Sequence, residues 1–429
     1  MSQARSPRVQ SRSNAKATSV STEEEVFELV TGCDGGNTKT KISYLSEEGN
    51  MVDLAIPTVI AKASTSTIEL GSALYDAEIN PTENLHVMLE SDALTNDLRH
   101  AYFYVGASAY RQDESEPQEP SGEEKHDSQL HLIVTLVGLA LAAAESGETK
   151  ARVNYHGGLP INEYKMYSQR LMKQLLGSHE ITFVDGKHKG KKIEVDIYDG
   201  KILAEGVSSV YGLIFTVENG VLKHTPLYEQ IKQDRSFIIS DLGAETLDVA
   251  YYTAGGVSKH LSLSHNLGTN GYMDKLIEEI SLLPEFDARR QKNPEARISR
   301  TREEFILRYL EKTTNERIKT GKDISYLASW GPTKNVDVTD AIIDQVGDYG
   351  NEVVAFLDEY WSSKASDAER IYLVGGGTLF GYEVFKQAEG YDFLPDDIVF
   401  KSPFVTSRAY LIANIISQQE ALDAEEVEA

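Results

Sequence analysis

The stretch FIISDLGAETLDVAYY, which spans Phe237–Tyr252, decides how the chain is interpreted. Apolar residues lead into Asp241, Gly243 follows in a short turn, and a second β-prone run begins at Thr246. Because Gly243 has no Cβ, the backbone N–H groups of the turn can approach a phosphate closely and form an anion-binding nest. Asp241 cannot attract a phosphate itself, so we expect it to hold a hydrated Mg²⁺ beside that nest.

A second copy of this pattern lies near the start of the sequence. The β-prone run Phe27–Cys33 leads into the turn Asp34–Thr38, and another β-prone run follows at Ile42–Leu45. A single Asp-x-Gly turn between two strands is usually only a turn. Two copies on matching strands predict a pair of phosphate-binding hairpins in one chain.

Two junctions between strands and helices are also candidates for chemistry. Glu205 lies where a strand ends and the predicted helix Ser208–Phe215 begins. Its carboxylate could orient a water for attack on a phosphate, or it could stabilise the first turn of that helix through the helix dipole. The predicted strand Arg370–Val374 runs into three glycines, which would let a ribose or phosphate lie against the backbone.

The intervening segments predict ordinary structure. Ser128–Glu145 is typical of a long buried helix, and Arg111–Lys125, with its prolines and acids, is typical of an exposed loop. A second helix follows Leu159-Pro160, and we expect Asn162 to cap it. His156 is interpreted as a core histidine rather than a catalytic group.

Composition and charge restrict the class of protein. A chain of 429 residues with 41% hydrophobic content should contain more than one domain, and it has no apolar run of membrane-spanning length and no hydrophobic signal segment. The single cysteine, Cys33, allows no internal disulfide, which suits the cytoplasm. The net charge of −25 argues against direct binding to nucleic acid, so any link to DNA would need an adaptor.

These motifs together resemble a known superfamily. Asp34-x-Gly36-x-Thr38-x-x-Lys41, Asp241-x-Gly243-x-x-Thr246-x-Asp248 and Gly375-Gly376-Gly377 are similar, in order and approximate spacing, to the two phosphate loops and the adenosine loop of the actin/Hsp70/sugar-kinase ATPases. Within that group the chain resembles the ParM/StbA family of bacterial actin-like plasmid-segregation proteins over residues 26–417. The segments that favour this family are 158–164, 203–206, 266–268 and 408–414.

The resemblance implies an α/β fold, namely an actin-like ATPase of two domains. Each domain would have a duplicated RNase H-like core, with the nucleotide in the interdomain cleft. Domain I would comprise 26–205 and 403–418, with a small inserted subdomain at about 50–105, and domain II would comprise 206–402. Residues 1–25 would form a disordered tail and 419–429 an acidic tail, and both are additions to the family pattern, as is the acidic loop.

The resemblance also implies ATP (or GTP) and Mg²⁺ as ligands. Glu205 and Asp241 would be catalytic, with Glu205 positioning the attacking water, and Asp34 and Asp241 would hold the metal through water. Lys41 would either add charge to the site or face solvent from its strand. The implied nucleotide-binding residues are Asp34, Gly35, Gly36, Asn37, Thr38, Lys41, Gly243, Ala244, Glu245, Thr246, Gly268, Gly375, Gly376, Gly377 and Thr378.

The function implied by the resemblance is ATP-driven filament formation, with hydrolysis triggering disassembly. The expected partners are further copies of the chain and a ParR-like adaptor bound to centromere-like plasmid DNA, with no membrane. The main alternative is a small-molecule, sugar-type kinase of the same superfamily. An Hsp70-like binding module would require a peptide-binding domain after the ATPase core, and we do not favour it.

Overall fold

The computed structural model describes residues 27–63, 81–111, 117–120, 124–395 and 398–428. The predicted tail 1–25, parts of the acidic loop (112–116 and 121–123) and residue 429 lie outside the described residues. The chain divides into two compact units, one running to Tyr228 and resuming at Thr406, the other being Glu229–Val405.

The first unit is built on a mixed sheet with the strand order β3-β2-β1-β7-β9-β8-β5-β6-β4. Helices α1 and α2 and the hairpin β10–β11 complete the part before Tyr228. The elements are β1 (Phe27–Gly35), β2 (Lys39–Leu45), β3 (Met51–Pro57), β4 (Ile60–Ala63), β5 (Leu85–Ser91), β6 (His100–Val105), α1 (Gln129–Glu145), β7 (Lys150–Leu159), α2 (Ile161–Leu175), β8 (Gly177–Phe183), β9 (Lys192–Ala204), α3 (Ser209–Ile214), β10 (Phe215–Glu218) and β11 (Val221–His224). Short 3₁₀ turns lie at Pro81–Glu83, Gly106–Arg111 and Lys125–Asp127.

The second unit has its own sheet, in the order β14-β13-β12-β18-β19, with β15 also paired to β13. A π-helical turn, Ile306–Leu310, joins α7 to α8, and 3₁₀ turns lie at Pro284–Phe286 and Val399–Phe404. The elements are α4 (Tyr228–Gln233), β12 (Ser236–Leu242), β13 (Leu247–Thr253), β14 (Gly256–Val257), β15 (Leu263–His265), α5 (Asn270–Ser281), α6 (Asp287–Arg290), α7 (Arg302–Phe305), α8 (Glu311–Thr320), β16 (Leu327–Trp330), β17 (Thr333–Asp337), α9 (Thr339–Lys364), β18 (Ile371–Val374), α10 (Gly376–Phe380), α11 (Tyr382–Phe385) and β19 (Tyr391–Asp392).

The two sheets repeat one topology. In the first unit, β1 pairs antiparallel with β2, β2 with β3, and β1 lies parallel to β7, which lies parallel to β9. In the second, β12, β13, β14, β18 and β19 occupy the corresponding places with the same directions. The predicted α/β fold with a repeated core is confirmed.

The unit boundaries differ from the predicted domain boundaries. Residues 206–228 lie in the first unit, because β10 packs there: Val217 joins a cluster with Leu411 and Ile415, and its N–H donates to Met51 Sδ. The described part of the predicted subdomain at 50–105 also extends the main sheet, since β3 pairs with β2 and β5 pairs with β8.

Helix α1 is buried in the hydrophobic core of the first unit. Every residue from Leu130 to Ala144 is buried, as the apolar run predicted, and Ser128 caps the helix by accepting from the His131 N–H. The predicted cap of α2 is wrong, because the helix begins at Ile161 and Pro160 occupies the N-cap without a side-chain hydrogen bond. Across the ranges described above, no helix has the length and apolar character needed to cross a bilayer.

The final helix, α12 (Val405–Glu428), returns from the end of the chain to the first sheet. Asn414 donates to the carbonyl oxygens of Thr31 (3.0 Å) and Asn154 (2.7 Å), which belong to β1 and β7. A Cβ at Gly32 would lie 2.1 Å from the Ser407 carbonyl oxygen, so only glycine allows this approach. The helix therefore bonds directly to the central strands.

We expect Gly32→Ala to destabilise the protein by about 3 kcal/mol, because the added methyl would force α12 away from β1. Urea unfolding followed by circular dichroism would measure the change. Gly347→Ala in α9 is the control: its Cβ would have no atom within 4 Å, and helix propensity predicts a gain of up to about 1 kcal/mol. Equal stability of Gly32→Ala and the unmodified chain would contradict the packing described.

Candidate functional site

The first predicted turn is present and tightly bonded. It joins β1 to β2, with Asp34 paired opposite Lys41 in the hairpin register. The Gly36 N–H donates to the Asp34 carbonyl at 3.0 Å, and Thr58 closes the turn from β3 by donating its hydroxyl to the Gly36 carbonyl at 2.7 Å. A Cβ at Gly36 would lie 2.7 Å from the Lys39 carbonyl oxygen, which explains why glycine is required there.

Asp34 is a buried acid with cations around it. Lys41 Nζ lies 3.0 Å from Asp34 Oδ2, and the Lys41 side chain is 17% exposed, so it faces the acid and not the solvent. Burial would raise the pKa of Asp34, but the positive charges of Lys41 and Lys125, with the hydrogen bond from Lys41, hold the pKa below its usual value. The carboxylate is therefore kept ionised in a largely buried position.

Glu205 lies in the same unit and is engaged by a lysine. Lys125 Nζ donates to Glu205 Oε1 at 2.7 Å, and both side chains are about 85% buried. The Glu205 N–H donates to the Leu159 carbonyl at the end of β7, and α3 begins only at Ser209. Glu205 is thus outside the first turn of that helix, and the helix-dipole alternative does not account for it.

His131 lies in the first helical turn of α1, and its ring packs beside the turn that joins β1 to β2. Its ring Cδ2 would lie 3.6 Å from a Cβ at Gly35, and its Nδ1 lies 2.8 Å from Ser128 Oγ. Within the described residues, its buried Nε2 has no hydrogen-bond partner. Burial and the nearby charge of Lys125 lower the pKa of His131 to about 3, so the ring is neutral at physiological pH.

The second predicted turn, between β12 and β13, has the same construction in the second unit. The Gly243 N–H donates to the Thr246 carbonyl at 2.9 Å, and the Thr246 hydroxyl donates to Asp248 at 2.9 Å. A Cβ at Gly243 would lie 2.9 Å from the Thr246 carbonyl oxygen. Gly268 supports the turn from outside, since its Cβ would lie 2.2 Å from the Ala244 carbonyl oxygen.

The triple-glycine segment lies directly against this second turn. Gly375 has φ +87°, and a Cβ on it would come within 2.3 Å of Asp241 Oδ1. Thr378, in contrast, is completely buried and donates its hydroxyl to the Val374 carbonyl at 2.9 Å. The side chain of Thr378 is therefore used inside the fold. Gly375 is buried as well and lacks a side chain because it packs against Asp241, whereas Gly376 is exposed and a Cβ on it would have no atom within 4 Å.

The predicted residues thus assemble into two sets. The first set contains Asp34, the turn as far as Thr38, and Lys41, which pairs with Asp34. Glu205 is linked to this set by Lys125, which pairs with Glu205 and acts electrostatically on Asp34. The second unit brings together the set Asp241, Gly243, Ala244, Glu245, Thr246, Gly268, Gly375, Gly376, Gly377 and Thr378. Each set combines an acid with a turn whose glycine cannot be replaced without displacing backbone.

Comparisons with known proteins agree with this construction. A family model described as "Actin like proteins N terminal domain" matches residues 32–207, which include the first turn and Glu205. The structure of Bacillus thuringiensis ParM with AMPPNP matches with a TM-score of 0.71 and 35% sequence identity, covering 91% of this chain and 99% of that one. The chain belongs to the ParM family of actin-like proteins. The same B. thuringiensis protein with ATP matches with a TM-score of 0.72 and 35% identity, again over 91% and 99% of the two chains.

More distant structures share only the fold with this ParM-family chain. A 15-stranded ParM filament from Clostridium botulinum matches with a TM-score of 0.62 at 14% identity, covering 90% of this chain and 99% of that one. A search of curated proteins found no match. The family assignment therefore depends on the B. thuringiensis structures.

Three residues of the site were not identified from the sequence of this ParM-family protein. Thr58 closes the first turn, His131 packs beside it, and Lys125 binds Glu205. The prediction that Arg111–Lys125 is an exposed loop is wrong at Lys125, because the side chain of Lys125 is only 15% exposed. Only the placement of Lys125 just before the cap of α1 could have drawn attention to it.

We expect acidification to destabilise the protein through His131. The unfolded histidine titrates near pH 6.5 and the folded one near 3, so between these values the unfolded state binds the extra proton. The stabilisation is complete above pH 6.5 and is lost as the pH falls, at up to about 1.4 kcal/mol per pH unit. The free energy of unfolding, measured with urea, should fall between pH 7 and pH 5 in the unmodified chain. In His131→Gln this fall should be smaller by about 1–2 kcal/mol.

The control for this measurement is His100→Gln, whose side chain is 63% exposed on β6. It should keep the pH dependence of the unmodified chain. An unchanged dependence in His131→Gln would show that the folded state admits the proton at this site, contrary to the burial described.

Proposed function

We propose that this ParM-family protein is an ATP-dependent polymerising ATPase whose dynamic filaments segregate plasmid DNA. The observation that carries the proposal is the repetition of one acid-and-glycine turn on corresponding strands of the two units, in a chain 35% identical to a ParM solved with ATP and AMPPNP. The same relative has also been solved with ADP. Binding of both a triphosphate and a diphosphate is what a hydrolysis cycle requires.

The two turns supply the donors that a polyphosphate needs. Backbone N–H groups of the turns at 35–38 and 243–246, other than those of Gly36 and Gly243, which donate to protein carbonyls, bind the β- and γ-phosphates of ATP (or GTP). Lys41 adds positive charge at the first turn. The triple glycine accepts the adenosine against the backbone at Gly376, which is its exposed member.

The acids of the turns fit a hydrated Mg²⁺. Asp34 is kept ionised by its neighbours, and Asp241, at the end of β12, is only partly buried and accessible to a hydrated ion. Magnesium prefers carboxylate oxygens and retains several waters, so Asp34 and Asp241 would hold it through water. When bound, the ion neutralises charge on the phosphates.

Hydrolysis requires a group that orients water, and Glu205 is our candidate. It is an acid that accepts a hydrogen bond from Lys125, whose charge also acts on Asp34, and the resemblance to the ParM/StbA family implies this role for it. Asp241 contributes to catalysis by holding the metal. ATP then favours the conformation that adds to a filament, and hydrolysis shifts the population back towards free subunits.

The partners we propose follow from charge. A net charge of −25 opposes direct binding to DNA, so a ParR-like adaptor on centromere-like plasmid DNA would link the filament to its cargo in the cytoplasm. Gel-shift assays at about 0.15 M salt should show no DNA binding by the protein alone, and a complex once the adaptor is added. Tight binding to DNA without an adaptor would remove this part of the proposal.

Assembly should depend on ATP and on both acids. Light scattering and pelleting should detect polymer with ATP or GTP and little with ADP. Asp34→Asn and Asp241→Asn should each weaken ATP binding by on the order of tenfold, because each removes a charge that holds the hydrated metal. Asp97→Asn is the control, since that side chain is 72% exposed, and its behaviour should match the unmodified chain.

A coupled assay for ADP separates the proposal from the kinase alternative. A filament-forming ATPase should release ADP without added substrate and faster above a critical concentration. ADP release that requires a sugar or another small alcohol would instead identify a kinase.

Glu205→Ala should assemble normally and disassemble slowly, because binding is kept while the attacking water loses its orienting group. The decay of light scattering after ATP is exhausted measures this. Rapid disassembly of Glu205→Ala filaments would remove Glu205 from the assigned role.

A further inference from the structure

Lys125, which neither predicted turn contains, forms an ion pair with Glu205. Its Nζ lies 2.7 Å from Glu205 Oε1, and the two side chains are 15% and 16% exposed. Exposed ion pairs hold side chains weakly, but a largely buried pair is screened less and fixes the direction of both groups. The Glu205 carboxylate is therefore oriented by a specific partner.

The backbone that carries Lys125 is itself anchored to α2. The ring of His126 stacks on Tyr167, with the centroids 3.6 Å apart and the planes 8° from parallel. The backbone nitrogen of His126, which donates, and its ring Nδ1 each lie 3.0 Å from Glu163 Oε2. One residue further along this short turn, Asp127 accepts a hydrogen bond from Arg170 at 2.7 Å. The lysine thus projects from a fixed turn, and its direction is set before any ligand binds.

Lys125 also acts on the first phosphate turn. Its charge contributes to the low pKa of Asp34 and to that of His131, which packs on Gly35. A single cation therefore lies within electrostatic reach of the acid at the turn and in direct contact with Glu205.

We propose that Lys125 is a positioning residue for ATP hydrolysis, acting through Glu205. This inference depends on the proposed function. The water oxygen forms a bond to the γ-phosphorus while the bond to the β,γ-bridging oxygen breaks, and that electron pair leaves with ADP. The proton lost by the water passes to the Glu205 carboxylate and then to the released phosphate. Lys125 holds Oε1, and so fixes the direction in which Glu205 accepts that proton.

Lys125→Met should lower kcat for ATP by about 10- to 100-fold, which is part of the roughly 10²–10⁴-fold that a positioned general base contributes. The KM for ATP and the affinity for a fluorescent ATP analogue should change by less than about threefold, because binding belongs to the turns. Lys125→Arg should recover most of the loss, since it keeps the charge. Lys187→Met is the matched control: Lys187 makes the same 2.7 Å bond to an acid, Glu145, at the far end of α1.

A double mutant tests whether Lys125 acts through Glu205. If it does, adding Lys125→Met to Glu205→Gln should slow turnover by no more than about twofold beyond Glu205→Gln alone. If kcat in the double mutant is instead reduced by the product of the two single-mutant factors, the inference is overturned. Acetylation of Lys125, followed by mass spectrometry without nucleotide, should rise severalfold in Glu205→Gln and stay unchanged in Glu145→Gln, which reports the ion pair independently of activity.

The outcomes separate the two proposals. An unmodified chain that neither binds nor hydrolyses ATP would overturn both. An active chain whose kcat is unaffected by Lys125→Met would overturn only the role of Lys125. If Lys125→Met fails to fold, Lys125→Arg and Lys125→Gln replace it, and equal kcat in those two variants would count against the proposal.

Discussion

The structure of the site depends on keeping a buried carboxylate charged. Desolvation favours the protonated form of Asp34, and the ion pair with Lys41 across the hairpin reverses that preference. Because Asp34 and Lys41 face each other in the register of β1 and β2, a slip of one residue would place Thr40 or Ile42 opposite the acid. The length of the turn and the charge of the site are therefore fixed by the same pairing.

Much of the fold could be predicted because its signals are local. The two hairpins, the buried helix α1 and the strand before the triple glycine all follow from patterns within a dozen residues. The placement of 206–228 could not, because β10 and β11 belong to the first unit through contacts with Met51 and Leu411. Those contacts join parts of the chain that are distant in sequence.

In the candidate site, the residues of the two turns could be predicted from the sequence, but the residue that supports Glu205 could not. The glycines and acids of the turns are visible in the sequence because backbone geometry demands them locally. The acids and prolines around Lys125 predict an exposed loop, but the short turn that carries it is held by α2, through the contacts of Glu163 and Tyr167 with His126. Residues that act by supporting another side chain leave no spacing pattern that sequence reasoning can detect.

The return of α12 to the first sheet has a consequence for synthesis on the ribosome. The central strand β1 precedes the second unit in the chain, but its neighbours Ser407, Leu411 and Asn414 follow that unit. The second unit is encoded entirely between them and can fold while translation continues. The first unit therefore keeps part of its sheet uncovered during translation until α12 has been made and has left the exit tunnel.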